Sequence, residues 1–303
     1  LKKSLFFSLI IILLAVNSIL AADFPLSYQD DLGRTIVIKK PVERIVSLAP
    51  GITETLYALG LSDKIVAVSS AADFPEQVKQ KTSVGRISEP DIEKIVALEP
   101  DLVLAESLTK LSFLNRLTEL GINNVGFNPE SITATLTMIS EIAQLCSAEK
   151  KGELLIENLA AEHQQLKKLV ASKLKTKSRP RVFYQIWPDP IYTAGKDTFI
   201  DNMIFEAGGY NIGRNAGSGW PQFNMESLLT ADPEVFIISD HNGSGYNLNK
   251  LRENKLLREI SAFKSKRLYQ VKADLVNRPS PRIVAGYKEF VLAIFPELKK
   301  EIE

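Results

Sequence analysis

The stretch from Ser147 to Lys175 constrains this chain more than any other. It opens with Ser147 as an N-cap and Glu149 in the first turn, contains no proline, and sets Leu155, Leu159, Leu166, Leu169 and Val170 along one helical stripe. The pattern predicts a single helix, which at about 1.5 Å per residue extends roughly 40 Å. An ordinary globular helix is shorter, so the stretch predicts a rod between two bodies.

The halves on either side look like copies of each other. Arg44-Ile-Val-Ser-Leu opens the first as a buried strand, and Arg181-Val-Phe-Tyr-Gln opens the second. Each half then carries an acid-led helix that runs through a proline into another strand. The first is Glu93-Lys-Ile-Val-Ala-Leu-Glu-Pro100-Asp-Leu-Val-Leu; the second is Glu226-Ser-Leu-Leu-Thr-Ala-Asp-Pro233-Glu-Val-Phe-Ile, at the same spacing. Strands alternating with helices predict an α/β fold of two Rossmann-like lobes, each with a parallel sheet covered on both faces. The boundaries are a signal peptide over 1–21, an N-terminal lobe over 22–146, the backbone helix over 147–175 and a C-terminal lobe over 176–303. Two lobes on a rod leave a cleft, and ligands favour such places, beyond the carboxyl ends of the strands.

Around this frame, Leu26 to Pro41 reads as a hairpin turning at Asp30 to Gly33. Strand Ile45 to Leu48 breaks at Ala49-Pro50-Gly51 before a helix from Thr53 to Gly60. Further strands are expected at Ile65 to Val68, Leu102 to Ala105 and Asn124 to Phe127. In the second half Trp187-Pro188-Asp189-Pro190-Ile191-Tyr192 reads as a rigid loop. A helix runs from Thr198 to Gly208, one helix spans Leu251 to Ile260, and a terminal helix follows Pro281. Leu-Lys-Lys, an apolar run from Leu5 to Val16 and small residues at Ala21 and Ala22 describe a secretory leader, the alternative being an uncleaved anchor. Export to the periplasm follows. The balance of 37 lysines and arginines against 36 aspartates and glutamates gives no reason to expect nucleic acid as a partner. The lone Cys146 cannot form an internal disulfide and reads as a buried free thiol.

Several stretches together resemble a family. These are Arg44-Ile-Val-Ser-Leu-Ala-Pro with Thr53-Glu54, Val66-Ala-Val-Ser-Ser with Asp73-Phe74-Pro75, and Ile92 through Ala105. In the second half they are Ala194-Gly195-Lys196, Trp220-Pro221-Gln222 and Asn277-Arg278-Pro279-Ser280-Pro281-Arg282. They are similar to periplasmic substrate-binding proteins of ATP-driven importers, the class that carries vitamin B12, ferric siderophores and haem, with the cobalamin-binding branch the nearest match. The resemblance implies two lobes on one backbone helix and a ligand in the cleft between them. It implies a small-molecule ligand, an importer permease and its ATPase as partners, no covalently bound cofactor, and a chain acting as a monomer.

By the same resemblance, one acid on each lobe docks on permease arginines, and the positions fall on Glu93 and Glu226. Read from the residues alone, each acid offsets a helix dipole by about 0.3–1 kcal/mol. The resemblance also implies a cleft lined by Pro50, Gly51, Ala71, Asp73, Tyr192, Trp220, Asp274 and Arg278. Aromatic faces suit a large flat macrocycle such as a corrinoid; the alternative for Trp220 is a core or lobe-packing residue. Aromatic residues that the cobalamin branch places near Ala71, Ile87 and Glu106 are missing here, and Trp187 is a candidate substitute wall. Arg86 and Arg278 would suit an anionic ferric siderophore; Arg86 otherwise reads as a solvated turn. A transition-metal site would need a histidine cluster, and the chain has only His163 and His241. Gly213, Gly217 and Gly219 follow a helix and lack a P-loop lysine. Ser69 and Ser70 have no nucleophile-elbow pattern around them, which argues against a hydrolase. The function expected is ligand capture and delivery without catalysis.

Overall fold

The computed structural model describes residues 24–240 and 247–302. The expected leader over 1–21 and His241 lie outside the described residues. Among the described residues no helix is long and apolar enough to cross a membrane.

The hairpin is present as β1 (Leu26–Gln29) and β2 (Thr35–Ile38). Asp30 organises its turn: the carboxylate accepts hydrogen bonds from the N–H groups of Leu32 and Arg34, pairs with the Arg34 guanidinium at 2.6 Å and accepts from Gly126 N–H. The last bond ties the hairpin to the edge of the first lobe. That lobe runs β3 (Ile45–Ser47), α1 (Pro50–Ala58), β4 (Ile65–Val68), β5 (Thr82–Ser83), the small hairpin β6 (Gly85–Arg86) and β7 (Glu89–Pro90), α2 (Ile92–Ala97), β8 (Leu102–Glu106), α3 (Leu111–Glu119) and β9 (Asn124–Phe127). The sheet order is β5-β4-β3-β8-β9 and every pairing is parallel. Both faces are covered, which explains the continuous apolar runs. Ile45, Leu102 and Leu104 enter one core, while Val46, Val103 and Ala105 enter the other.

Two helices then form the backbone: α4 (Ile132–Leu145) and α5 (Glu149–Leu174). The 14-residue α4 has no counterpart in the sequence reading. Its signals were there in Ser131, whose hydroxyl caps Ala134 N–H, and in the buried spacing Ile132, Thr135, Met138, Ile139, Ile142; three threonines of low helix propensity obscured them. The 26-residue α5 is the expected rod, but Ser147 does not cap it. Ser147 takes the left-handed conformation, with φ of 55°, in the turn between the helices, and Ala148 holds the cap position without a side-chain bond. Leu155 packs on the first lobe's core, and Leu159, Leu166, Leu169 and Val170 on the second's. Cys146 ends α4 inside the first core, where burial pushes its thiol up to about 12.

The second lobe runs β10 (Arg181–Pro188), β11 (Ile191–Thr193), α6 (Phe199–Glu206), β12 (Tyr210–Asn211), α7 (Met225–Ala231), β13 (Val235–Asp240), α8 (Leu248–Glu253), α9 (Ser261–Lys264), β14 (Leu268–Lys272), α10 (Ala273–Val276) and α11 (Ile283–Ile294). Its sheet order is β11-β10-β13-β14, with β12 beside β10. The sheet is mixed, because β11 folds back antiparallel on β10. The expected loop from Trp187 to Tyr192 is therefore the tip of a strand pair. The single helix expected over Leu251 to Ile260 is broken into α8, a 3-10 turn and α9.

The internal repeat holds at the level of individual bonds. Asp91 caps α2 through Lys94 N–H, and Asn224 caps α7 through Ser227 N–H. Arg44 donates to the carbonyls of Leu98 and Glu99; Arg181 donates to those of Ala231 and Asp232. Glu99 and Asp232, each before a proline, sit at φ of 45° and 42°. Asp101 and Glu234 accept from the N–H groups of Arg44 and Arg181.

A β-carbon on Gly152 would stand 2.5 Å from the Ala143 methyl, so this glycine lets α4 and α5 approach closely. Gly152→Val is expected to lower stability by about 1–3 kcal/mol in urea unfolding, despite the poor helix propensity of glycine; an unchanged midpoint would contradict this packing.

Candidate functional site

Both sheets point their carboxyl ends at the seam between the lobes, where α1 and the loop after β4 meet the loop after α10. The seam is a charge cluster. Arg278 pairs with Asp73 at 2.5 Å, with Asp274 at 2.7 Å and with Glu54 at 3.5 Å. Arg282 pairs with Glu54 at 2.5 Å and lies 4.0 Å over the Phe74 ring. Glu54 is 4% exposed, so a carboxylate removed from water in one lobe is neutralised by guanidiniums from the other. The Arg278 guanidinium holds the Asp73 carboxyl below the usual carboxylate range.

Glu106 is the unusual member. It ends β8 beside Glu54 and Arg278, its Oε1 is fully enclosed, and no hydrogen-bond partner among the described residues meets that atom. Burial, then repulsion from Glu54, push its carboxyl up to about 8 against the pull of Arg278.

The expected cleft residues divide into four groups. Asp73, Asp274 and Arg278 come together directly. Pro50 and Gly51 are buried in the first turn of α1, where Gly51 packs against the Pro279 carbonyl, so they seal the seam. Ala71 is exposed in the loop after β4, and Arg86 is exposed on the β6–β7 hairpin, apart from the ion pairs of the seam. On the other side, Trp187 and Tyr192 face each other across β10 and β11, and Tyr192 bridges to Gln222 next to the Trp220 loop. Both tryptophans are 47% exposed, which sets aside a core-packing role for Trp220. Leu108 and Leu111, exposed after β8, place aliphatic surface on the first lobe.

The sequence reading did not assign Glu54, Arg282 or Phe74 to the site, and met Glu106 only as a strand end where a family aromatic is missing. Glu54 and Arg282 lay within the quoted motifs, but their pairing across 228 residues had no local signal. A concavity of about 750 Å³ lies beside the seam, lined by Glu54, Tyr57, Phe74, Gln77 and Arg282. It runs along α1 toward Ser62 and Asp63, at the amino ends of the strands, and contains none of the aromatic wall. His163 is buried on α5, 2.9 Å from Glu206 and edge-on to Tyr287, where it anchors the rod to the second lobe. Among the described residues no group of three histidines, cysteines or carboxylates could hold a metal ion.

Residues 45–275 match the periplasmic binding protein family. The chain belongs to that family. It is 34% identical over 286 residues to an uncharacterised ABC transporter substrate-binding lipoprotein, YvrC, of Bacillus subtilis, covering 92% of this chain and 88% of the relative. Among solved structures it is similar to the periplasmic vitamin B12 binding protein BtuF of Vibrio cholerae, with a TM-score of 0.75, 28% identity, and coverage of 86% and 99%. It is likewise similar to the periplasmic haem-binding protein RhuT of Roseiflexus, with a TM-score of 0.75, 26% identity, and coverage of 84% and 98%. Members of this family share the two-lobed fold described above, and the seam of this chain falls between those lobes.

Two outcomes check the electrostatics of the seam. Arg282→Met is expected to cost about 3 kcal/mol by stranding the buried Glu54 carboxylate, and adding Glu54→Leu should recover most of that loss; additive losses in urea unfolding would contradict the pairing. Because the Glu106 carboxyl is raised from its ordinary 4.5 to about 8, the native state holds a proton that the unfolded chain releases. Its contribution is therefore complete below pH 4.5 and declines as pH rises to about 8, by up to roughly 1.4 kcal/mol per pH unit. Unfolding midpoints of wild type and Glu106→Gln should converge at pH 5 and separate at pH 8, with the variant more stable.

Proposed function

We propose that this chain is the exported substrate-binding component of an ABC importer, that it captures cobalamin or a related corrinoid between its lobes, and that it delivers the ligand to the permease without chemical change. The observation that carries the reading is the aromatic wall of Trp187, Tyr192 and Trp220 at the carboxyl ends of the second sheet, in a family member with vitamin B12-binding relatives. Exposed rings supply the flat apolar area a corrin macrocycle needs, and the polar groups of the seam orient its amide side chains. Haem or a ferric siderophore is the second reading, favoured by the likeness to the haem-binding protein. Calorimetric titration with cobalamin and haem separates the two. Tight one-to-one binding of cobalamin is expected, and binding of haem alone would move the assignment.

Docking on the permease falls to Glu93 and Glu226. Each acid is exposed in the first turn of its helix, and each helix ends just before the start of the strand that follows it. Both acids therefore stand on the carboxyl-end side of their sheets, at equivalent points of the repeat. Reversing both, Glu93→Lys with Glu226→Lys, should leave ligand affinity within about twofold and abolish uptake in vesicles carrying the importer. Uptake that survives the double reversal would remove the docking role.

A further inference from the structure

We infer that Glu106 reads the ligand, and that the seam around it selects an uncharged, carboxamide-bearing macrocycle over one that carries carboxylates. This rests on the reading of the cleft as the ligand site.

The geometry supplies the first argument. Glu106 stands at the carboxyl end of β8, where an α/β sheet presents its ligand groups. Its Oε1 is enclosed at the point where Gly51 meets Pro279 across the seam, and it has no partner. An enclosed polar atom without a partner burdens the fold unless something else completes it. The ligand entering between the lobes would open the Gly51–Pro279 contact and bring its own polar group to Oε1.

Charge decides which polar group fits. Glu54, Asp73, Glu106 and Asp274 set four carboxyls against the two guanidiniums of Arg278 and Arg282. Both guanidiniums are already engaged, so a carboxylate ligand finds no free cation among the described residues of the seam. Glu54 from α1, Asp73 from the loop after β4, and Asp274, Arg278 and Arg282 from the second lobe are the charged groups around Glu106. With its carboxyl raised to about 8, Glu106 is protonated at neutral pH and donates a hydrogen bond. A carboxamide oxygen accepts that bond without bringing charge into an acidic seam, whereas a propionate adds a like charge beside Glu54.

The test titrates the wild-type chain, Glu106→Gln and Glu106→Leu with cyanocobalamin and with haem at pH 6.5 and pH 9, with melting temperatures read alongside. Wild type should prefer cyanocobalamin and bind it about tenfold more weakly at pH 9, where Glu106 ionises. Glu106→Gln keeps a donor and should retain the affinity while losing the pH dependence. Glu106→Leu should lose about tenfold at pH 6.5 with an unreduced melting temperature. If wild type takes haem alone, or neither ligand, the ligand reading falls and this inference with it. If cyanocobalamin binds and Glu106→Leu matches wild type, the Glu106 assignment alone is overturned.

Discussion

The buried carboxylate of Glu54 is the constraint on which the rest of the cleft depends. It belongs to the first lobe, yet the guanidiniums that neutralise it, Arg282 at 2.5 Å and Arg278 at 3.5 Å, both belong to the second. Charge removed from water must find its partner, so the lobes meet where those arginines can reach. Arg278 is thereby placed to pair with Asp73 and Asp274 as well, and the seam closes over Oε1 of Glu106. The polar floor of the site is thus a consequence of how the lobes are joined.

The backbone helices impose the complementary limit. Because α5 packs on both cores, and His163 fixes it to Glu206 and Tyr287, the rod cannot turn freely between the lobes. The Gly152–Ala143 approach couples it to α4, which reaches the second core through Ile132. At the seam itself, Asp73 and Arg278 already neutralise each other.

The architecture was legible in the sequence because it is written in local periodicity. The rod, the hairpin turning at Asp30 and the acid-to-proline repeat at Glu93 and Glu226 each involve neighbouring residues, and each is present. The misses have local causes as well. Ser147 reads as a cap by type but sits in a left-handed turn, α4 hides behind its threonines, and β11 reads as loop because two prolines flank its turn. The candidate site was only partly legible. Tyr192, Trp220, Asp73, Asp274 and Arg278 were named from resemblance and Trp187 as a substitute for missing aromatics, whereas the Glu54–Arg282 pair and the enclosed Oε1 of Glu106 depend on contacts between lobes that no short stretch encodes. Pro50 and Gly51, expected to line the cleft, lie buried where the turn they begin is pressed against Pro279.

The chain holds two tryptophans, Trp187 and Trp220, both half-exposed and both proposed as part of the ligand's aromatic wall. Their fluorescence therefore tests that placement directly. Titrating the wild-type chain, Trp187→Phe and Trp220→Phe with cobalamin tests whether the ligand sits against that wall. Binding there predicts saturable one-to-one quenching in all three proteins, with the same dissociation constant by fluorescence and by calorimetry in each. Cobalamin that binds by calorimetry while leaving either tryptophan unquenched would contradict this placement of the ligand.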